Sequence, residues 1–184
     1  RLEDLADRSR RDCSPYCTMF LDEMQCAAAT AFLKRQADVA FFFWGGYEQA
    51  ERKCCCLYPD FLEPDTAWVS CKCVTVHYSN LQTLEHRDFL GAALGCGLKR
   101  ETIGDILIEK GMAQLWATNA AAALLVQSLE KVGRGNVRCM DTEPFSIVPV
   151  RKRLEHHGTV ASLRCDAIAA LVTRQSREKT VRMI

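Results

Sequence analysis

The 184 residues predict an α+β chain: a helix with a β-hairpin, then a β-α-β-β-α-β unit, then two short basic helices. Three observations carry that prediction. The apolar share is 48%, enough for a packed core and too high for a disordered chain. Between residues 66 and 140, runs of period two alternate with runs of period 3.6 in one fixed order. Pro144 and Pro149 then mark a boundary, beyond which the charge balance changes sign. The expected parts are residues 1–65, 66–143 and 150–184.

Residues 1–12 are polar and suit a helical lead-in. Ser14-Pro15 is expected to open a helix reaching Gln36, with Ser14 as N-cap and Pro15 at the first helical position. Phe20, Met24, Ala27 and Ala31 would share one of its faces. Residues 39–44 form a short apolar β run, Gly45-Gly46 a turn, and 51–58 the returning strand. Pro59, Pro64 and Asp65 mark a loop. Residues 66–78 alternate polar and apolar and predict a strand. Residues 84–96 predict a helix with Phe89, Leu90, Ala93 and Leu94 on one face, ended by Gly95 and Gly97. Strands follow at 103–109 and 112–117, joined at Lys110-Gly111. Asn119 is expected to cap a helix running to Lys131, and 136–140 closes the unit as a strand. That order is the split βαβ, or ferredoxin-like, pattern. Residues 150–162 are basic and partly extended. Residues 163–173 and 176–184 predict two short helices, the second capped by Ser176.

Several function classes drop out. No apolar run approaches the ~18–20 residues of a membrane span, and the longest, 37–44, carries Asp38. Residues 1–12 hold no apolar signal-peptide core; the chain begins with Arg, so the native start is expected upstream. The eleven cysteines are odd in number and too sparse for a disulfide scaffold, so reduced thiols of a cytosolic protein are expected. Cys71 and Cys73 alternate within a strand-like run, where a thiol serves as a small hydrophobe. Cys13 and Cys17 have no second pair, Cys54-Cys55-Cys56 alternate between faces, and the four histidines join no ligand set. No metal and no cofactor is expected.

The net charge of +1 hides an asymmetry. From Pro149 onward eight Lys and Arg face three acids, a net of +5, leaving −4 for the rest. Such a split points to a polyanion-binding tail. Its cations include Arg164, Arg174, Arg177, Lys179 and Arg182. Arg177 and Lys179 flank a helix start, where phosphate is favoured. Gly91-x₃-Gly95-x-Gly97 follows a helix and has Arg100 where a dinucleotide fingerprint needs glycine, which excludes nucleotide binding. Its turn presents Lys99 and Arg100 either to phosphate or to solvent. Gly104 is expected to need an unusual backbone angle. Tyr47 could stack a base or pack. His86-Arg87-Asp88 resembles a kinase catalytic triplet, but Ala93 replaces the loop asparagine and no Asp-Phe-Gly follows. Asp88 is expected to stabilise a helix start. A hydrolase or nuclease using His86 and Asp88 remains the alternative.

Five runs carry a family resemblance: Phe42-Phe43-Trp44-Gly45-Gly46-Tyr47-x₃-Glu51-Arg52, His86-Arg87-Asp88-Phe89-Leu90-Gly91, Gly95-Cys96-Gly97-Leu98-Lys99-Arg100-Glu101, Ile103-Gly104-Asp105-Ile106, and Lys131-Val132-Gly133-Arg134. Together they resemble the YlmH-type S4-domain RNA-binding proteins of bacteria and plastids, over about residues 38–184. The resemblance implies a ferredoxin-like RNA-binding domain followed by an S4 domain. Ser162-Leu163-Arg164-Cys165-Asp166-Ala167-Ile168 and Ser176-Arg177-Glu178-Lys179-Thr180 are similar to the opening of that domain. Arg164, Ser176, Arg177 and Lys179 would then line its RNA face, with Arg174 and Arg182 beside them. Arg87, Lys99, Arg100 and Arg134 would add contacts from the middle part. Cys165 stands where the family has leucine. An S4 domain continues into a small β portion, so the module is expected to be incomplete at Ile184. The implied partner is rRNA or tRNA on the large ribosomal subunit, in translation quality control, without catalysis. No DNA and no membrane is implied. The implied location is the cytoplasm, or a plastid stroma. A protein-interaction module linked to cell division is a further alternative.

Overall fold

The computed structural model describes residues 2–36, 38–149 and 157–181. They fall into two units, 1–149 and 150–184. Helix α1 (Leu2–Asp12) opens the first unit, with Glu3 and Asp4 in its first turn and Arg10 and Arg11 in its last. Both placements complement the helix dipole. Ser14 belongs to the end of this helix: its Oγ donates to the Asp12 carbonyl at 2.9 Å. Strand β1 (Tyr16–Leu21) follows. The helix expected from Ser14 to Gln36 is therefore two elements. Tyr16, Thr18 and Phe20 favour a pleated surface. The helix starts only at Asp22, whose Oδ1 accepts from Gln25 N at 2.8 Å while Gln25 Oε1 accepts from Asp22 N at 2.9 Å. This reciprocal capping box opens α2 (Glu23–Leu33).

Strands β2 (Val39–Trp44) and β3 (Lys53–Pro59) form the expected hairpin. Strand β1 adds to the other edge of β3, giving the antiparallel order β1-β3-β2. Along β3, alternate side chains enter different cores. Cys55 and Leu57 pack with Ala6, Leu33 and Val39. Cys54 and Cys56 pack with Phe20 and Val69. A strand buried on both faces reads as a continuous apolar run, which accounts for three consecutive cysteines.

A 3-10 turn at Thr66–Trp68 occupies the start of the expected strand, with Asp65 Oδ1 accepting from Ala67 N at 2.8 Å. Then come β4 (Cys71–Tyr78), α3 (His86–Gly95), β5 (Ile103–Glu109), β6 (Met112–Thr118), α4 (Asn119–Ser128), β7 (Lys131–Val132) and β8 (Gly135–Met140). The sheet order is β5-β6-β4-β8-β7, all neighbours antiparallel. The first and third strands of the β-α-β-β-α-β series are central, as the ferredoxin-like pattern requires. Thr118, not Asn119, caps α4 through its Oγ1, which accepts from Ala121 N at 3.4 Å. That helix ends at Ser128 because Lys131 and Val132 pair with Asn136 and Gly135. Val74, Val76 and Leu115 face Phe89 and Ala93 of α3 and Ala122 and Leu125 of α4. Each large apolar side chain buried there contributes roughly 1.5–3 kcal/mol.

Gly104 does not adopt a positive φ, contrary to the sequence expectation. Its role is close approach: a Cβ there would lie 2.7 Å from the Phe20 ring. The missing side chain lets the start of β5 sit against β1.

In the second unit, α5 (Cys165–Thr173) ends at Arg174, which takes a left-handed φ of 54°. Helix α6 (Arg177–Val181) follows, with the Ser176 carbonyl accepting from Lys179 N and Thr180 N. The basic stretch 150–156 and residues 182–184 lie outside the described residues. Among the described residues, no helix is long and apolar enough to cross a membrane.

Candidate nucleic-acid interface

The glycine-aromatic motif and the Gly104-Asp105 motif meet in space. Asp105 is 9% exposed. Its Oδ2 accepts from the Tyr47 hydroxyl and from Glu51 N, both at 2.7 Å, and its Oδ1 accepts from Arg52 N at 2.9 Å. Arg52 donates onward to the carbonyls of Ile103 and Phe20, each at 3.1 Å. Arg100 donates to the Ile103 carbonyl at 2.7 Å. This network ties the loop between β2 and β3 to the first residues of β5. Tyr47 packs rather than awaiting a base: its ring centroid lies 4.8 Å from that of Phe145 and 6.3 Å from that of Trp116. Gly46 has φ +101°, and a Cβ there would come within 2.2 Å of the Trp116 ring.

The sheet face opposite α3 and α4 is covered. Thr75 and Gln114 on that face are fully buried. Gln114 Nε2 donates to Thr75 Oγ1 at 3.1 Å and to the Pro144 carbonyl at 2.9 Å. Its Oε1 accepts from Ser146 N and Ile147 N, both at 2.9 Å. Glu143 reaches His77 Nε2 at 2.9 Å, and Phe145 seats against Tyr47 and Trp116. Residues 143–147 thus form a strap over the face on which open-sheet RNA-binding domains stack bases. The candidate contacts lie on other surfaces.

The exposed cations are distributed as follows. Arg87 is exposed beside Glu85 at 3.1 Å, and Lys99 is exposed just after α3. Arg134 is exposed on the turn between β7 and β8, a turn that packs on Leu84 ahead of α3. Arg100 is only half-exposed, and its guanidinium serves backbone carbonyls. In the second unit Arg164 is exposed and donates to Asp166 at 3.0 Å. Arg174, Ser176 and Lys179 are also exposed. Arg177 begins α6, and Arg182 lies outside the described residues.

His86 and Asp88 stand at the start of α3. Asp88 Oδ2 accepts from Glu85 N at 2.8 Å, so that carboxylate closes the helix end, as expected from the sequence. Burial, then the positive charge of Arg100, holds His86 below the ordinary imidazole range. Burial pushes the thiols of Cys55 and Cys73 up to about 12 and those of Cys71 and Cys139 up to about 11, so these stay protonated at neutral pH. Among the described residues, no group of three or more His, Cys, Asp or Glu is placed to hold a metal ion. Sequence reasoning missed Arg52, Asp105 and Gln114 as organising residues. The available signal was an acid and an amide inside apolar strands, positions where polar groups persist only with partners.

Fold and surface together define a two-part α+β protein whose ferredoxin-like domain has one sheet face packed on helices and the other covered by residues 143–147. A family model described as "Putative RNA-binding domain in YlmH" matches residues 64–145, and one for the N-terminal part of YlmH matches residues 1–62. The ribosome-associated protein quality control protein P2 of Bacillus subtilis (strain 168) is 34% identical over 170 residues. That alignment covers 91% of this chain and 65% of the relative, so the chain spans just under two thirds of the relative's length. The chain belongs to the YlmH family. The cell division protein ylmH from Streptococcus pneumoniae has the same fold, with a TM-score of 0.67 at 22% identity, over 77% of this chain and 87% of that one.

Proposed function

We propose that this protein binds structured RNA, rRNA or tRNA at the large ribosomal subunit, and acts in translation quality control without catalysis. The observation that carries the reading is the match of an RNA-binding family model to the folded domain at 64–145. The ribosome-associated relative supports the same partner class. The second unit is read as the opening of an S4 module. It holds the chain's positive excess, and Arg164, Arg174, Ser176 and Lys179 are exposed on its two helices and the turn between them. Arg177 and Arg182 are included from the sequence resemblance. Arg87, Lys99 and Arg134 are secondary phosphate contacts on the ferredoxin-like domain. Arg100 is a positioning residue that holds the start of β5. A charged surface of this kind reads phosphate spacing and shape more than base identity.

The test is competition binding by the full-length protein at low salt, with a large-subunit rRNA fragment, tRNA and duplex DNA. Preference for either RNA over DNA, with the RNA recovered intact, is the expected result. Equal binding to all three would leave only non-specific attraction and refute the reading. RNA cleavage that is lost in His86→Ala would establish the nuclease alternative instead.

A further inference from the structure

Cys17 on β1 and Cys56 on β3 are direct partners across the antiparallel ladder. Directly opposed residues point to the same face, with Cα atoms ~4.5–5.5 Å apart, inside the ~4.4–6.8 Å that a disulfide spans. Among the described residues no other two cysteines share a register position. Cys54 faces Phe20 and Trp44, Cys55 faces Phe43, Cys71 faces Thr118, Cys73 faces Trp116 and Cys139 faces Val76. The ladder is also irregular just after Cys17, which gives the backbone local freedom to adjust.

The two thiols differ in access. Cys56 is fully buried, whereas Cys17 is only partly buried. The neighbouring Cys56 thiol draws Cys17 below the ordinary thiol range, and the Cys17 sulfur pushes Cys56 above it. The thiolate is the reactive form of a cysteine, so the residue with the lower range and the greater access is the attacking one. Phe20, Phe42 and Val69 pack around the pair, and the Cys17 thiol donates to the Trp68 carbonyl at 3.5 Å.

We propose that Cys17 and Cys56 are a peroxide-oxidisable dithiol, with Cys17 the attacking and Cys56 the resolving residue. In the first step the Cys17 thiolate attacks one oxygen of hydrogen peroxide. The S–O bond forms, the O–O bond breaks, and hydroxide leaves to become water on protonation. Cys17 is now a sulfenic acid. In the second step Cys56 sulfur attacks Cys17 sulfur, the S–O bond breaks, and a second water carries away the Cys56 proton. Two thiols and one peroxide give one disulfide and two waters. The product staples β1 to β3, closing a loop between residues 17 and 56.

The experiment treats the whole protein with hydrogen peroxide, blocks free thiols with an alkylating agent under denaturing conditions, and maps peptides by mass spectrometry. The expected result is one linked peptide joining Cys17 to Cys56, lighter by two hydrogens than the free pair and released by dithiothreitol. Both residues lose their alkylation. In Cys17→Ser the linked peptide is absent and Cys56 is alkylated. Three results would each overturn the proposal: Cys17 alkylated at the same level with and without peroxide, Cys17 driven to sulfinic acid while Cys56 remains alkylatable, or crosslinks confined to the exposed Cys13 and Cys165. The peptide map of the unsubstituted protein decides the matter even if the serine variant folds poorly.

Discussion

Replacing Asp105 with alanine tests whether the glycine-aromatic and Gly104-Asp105 motifs build the junction or serve a ligand. The carboxylate accepts three hydrogen bonds, from Tyr47, Glu51 and Arg52, at 2.7–2.9 Å. A hydrogen bond to a charged group contributes about 1.5–3 kcal/mol net, and neighbouring bonds are not additive. The loss expected for Asp105→Ala is therefore about 3–5 kcal/mol, a large share of the ~5–15 kcal/mol that holds a domain folded. Asp105→Asn keeps one acceptor oxygen but turns an amide donor toward a backbone donor, and is expected to cost about 1–3 kcal/mol. Tyr47→Phe removes a single hydroxyl bond and keeps the ring, for about 1–2 kcal/mol. Urea unfolding followed by tryptophan fluorescence measures all three, and the midpoint should move in that order. A loss below about 1 kcal/mol for Asp105→Ala would refute the network as a structural tie. Asp105 and Tyr47 would then have to be explained by a ligand.

Three other outcomes follow from the same structure. Gln114→Leu should free the strap: amide exchange at Ser146 and Ile147 speeds up, and stability falls by about 2–4 kcal/mol through unpaired buried groups. Unchanged exchange at those two amides would show that Phe145 and the Glu143–His77 contact hold the strap without Gln114. An NMR titration should place the His86 midpoint below 6.5, and Arg100→Gln should raise it, because a repelling charge has gone. The folded state binds this proton less readily than the unfolded chain, so the group weakens folding as pH falls below 6.5 and has no such effect well above it. Gly46→Ala forces a side chain into the Trp116 ring at a positive φ and is expected to destabilise by about 2–4 kcal/mol, read from the same urea series.

The ferredoxin-like part was legible because each element carried its own local signal. Lys110-Gly111 sits between two alternating runs, and Gly97 stands one residue beyond the C-cap of α3. The N-terminal part was less legible. Phe20, Met24, Ala27 and Ala31 satisfy a helical period, yet Phe20 is in a strand. The correct boundary was present in the sequence as Asp22-x-x-Gln25, a capping box without the usual Ser or Thr. The site was legible as motifs but not as an arrangement. Tyr47 and Asp105 lie 58 residues apart, and only the fold brings the hydroxyl to the carboxylate. Pro144 reads as a boundary, yet residues 143–147 belong to the first unit, and nothing local shows that they lie over Thr75 and Gln114. That contact depends on Gln114, whose partners come from a segment 30 or more residues away.

The most direct test of the RNA-binding account is the salt dependence of the full-length protein's affinity for a large-subunit rRNA fragment or tRNA. Each phosphate neutralised contributes about 0.7–0.9 to the slope of log affinity against log salt. Lys179→Ala should lower that slope by about one while leaving the unfolding midpoint unchanged. A slope identical to that of the unsubstituted protein, with Arg164→Ala equally silent, would contradict the placement of the RNA surface on α5 and α6.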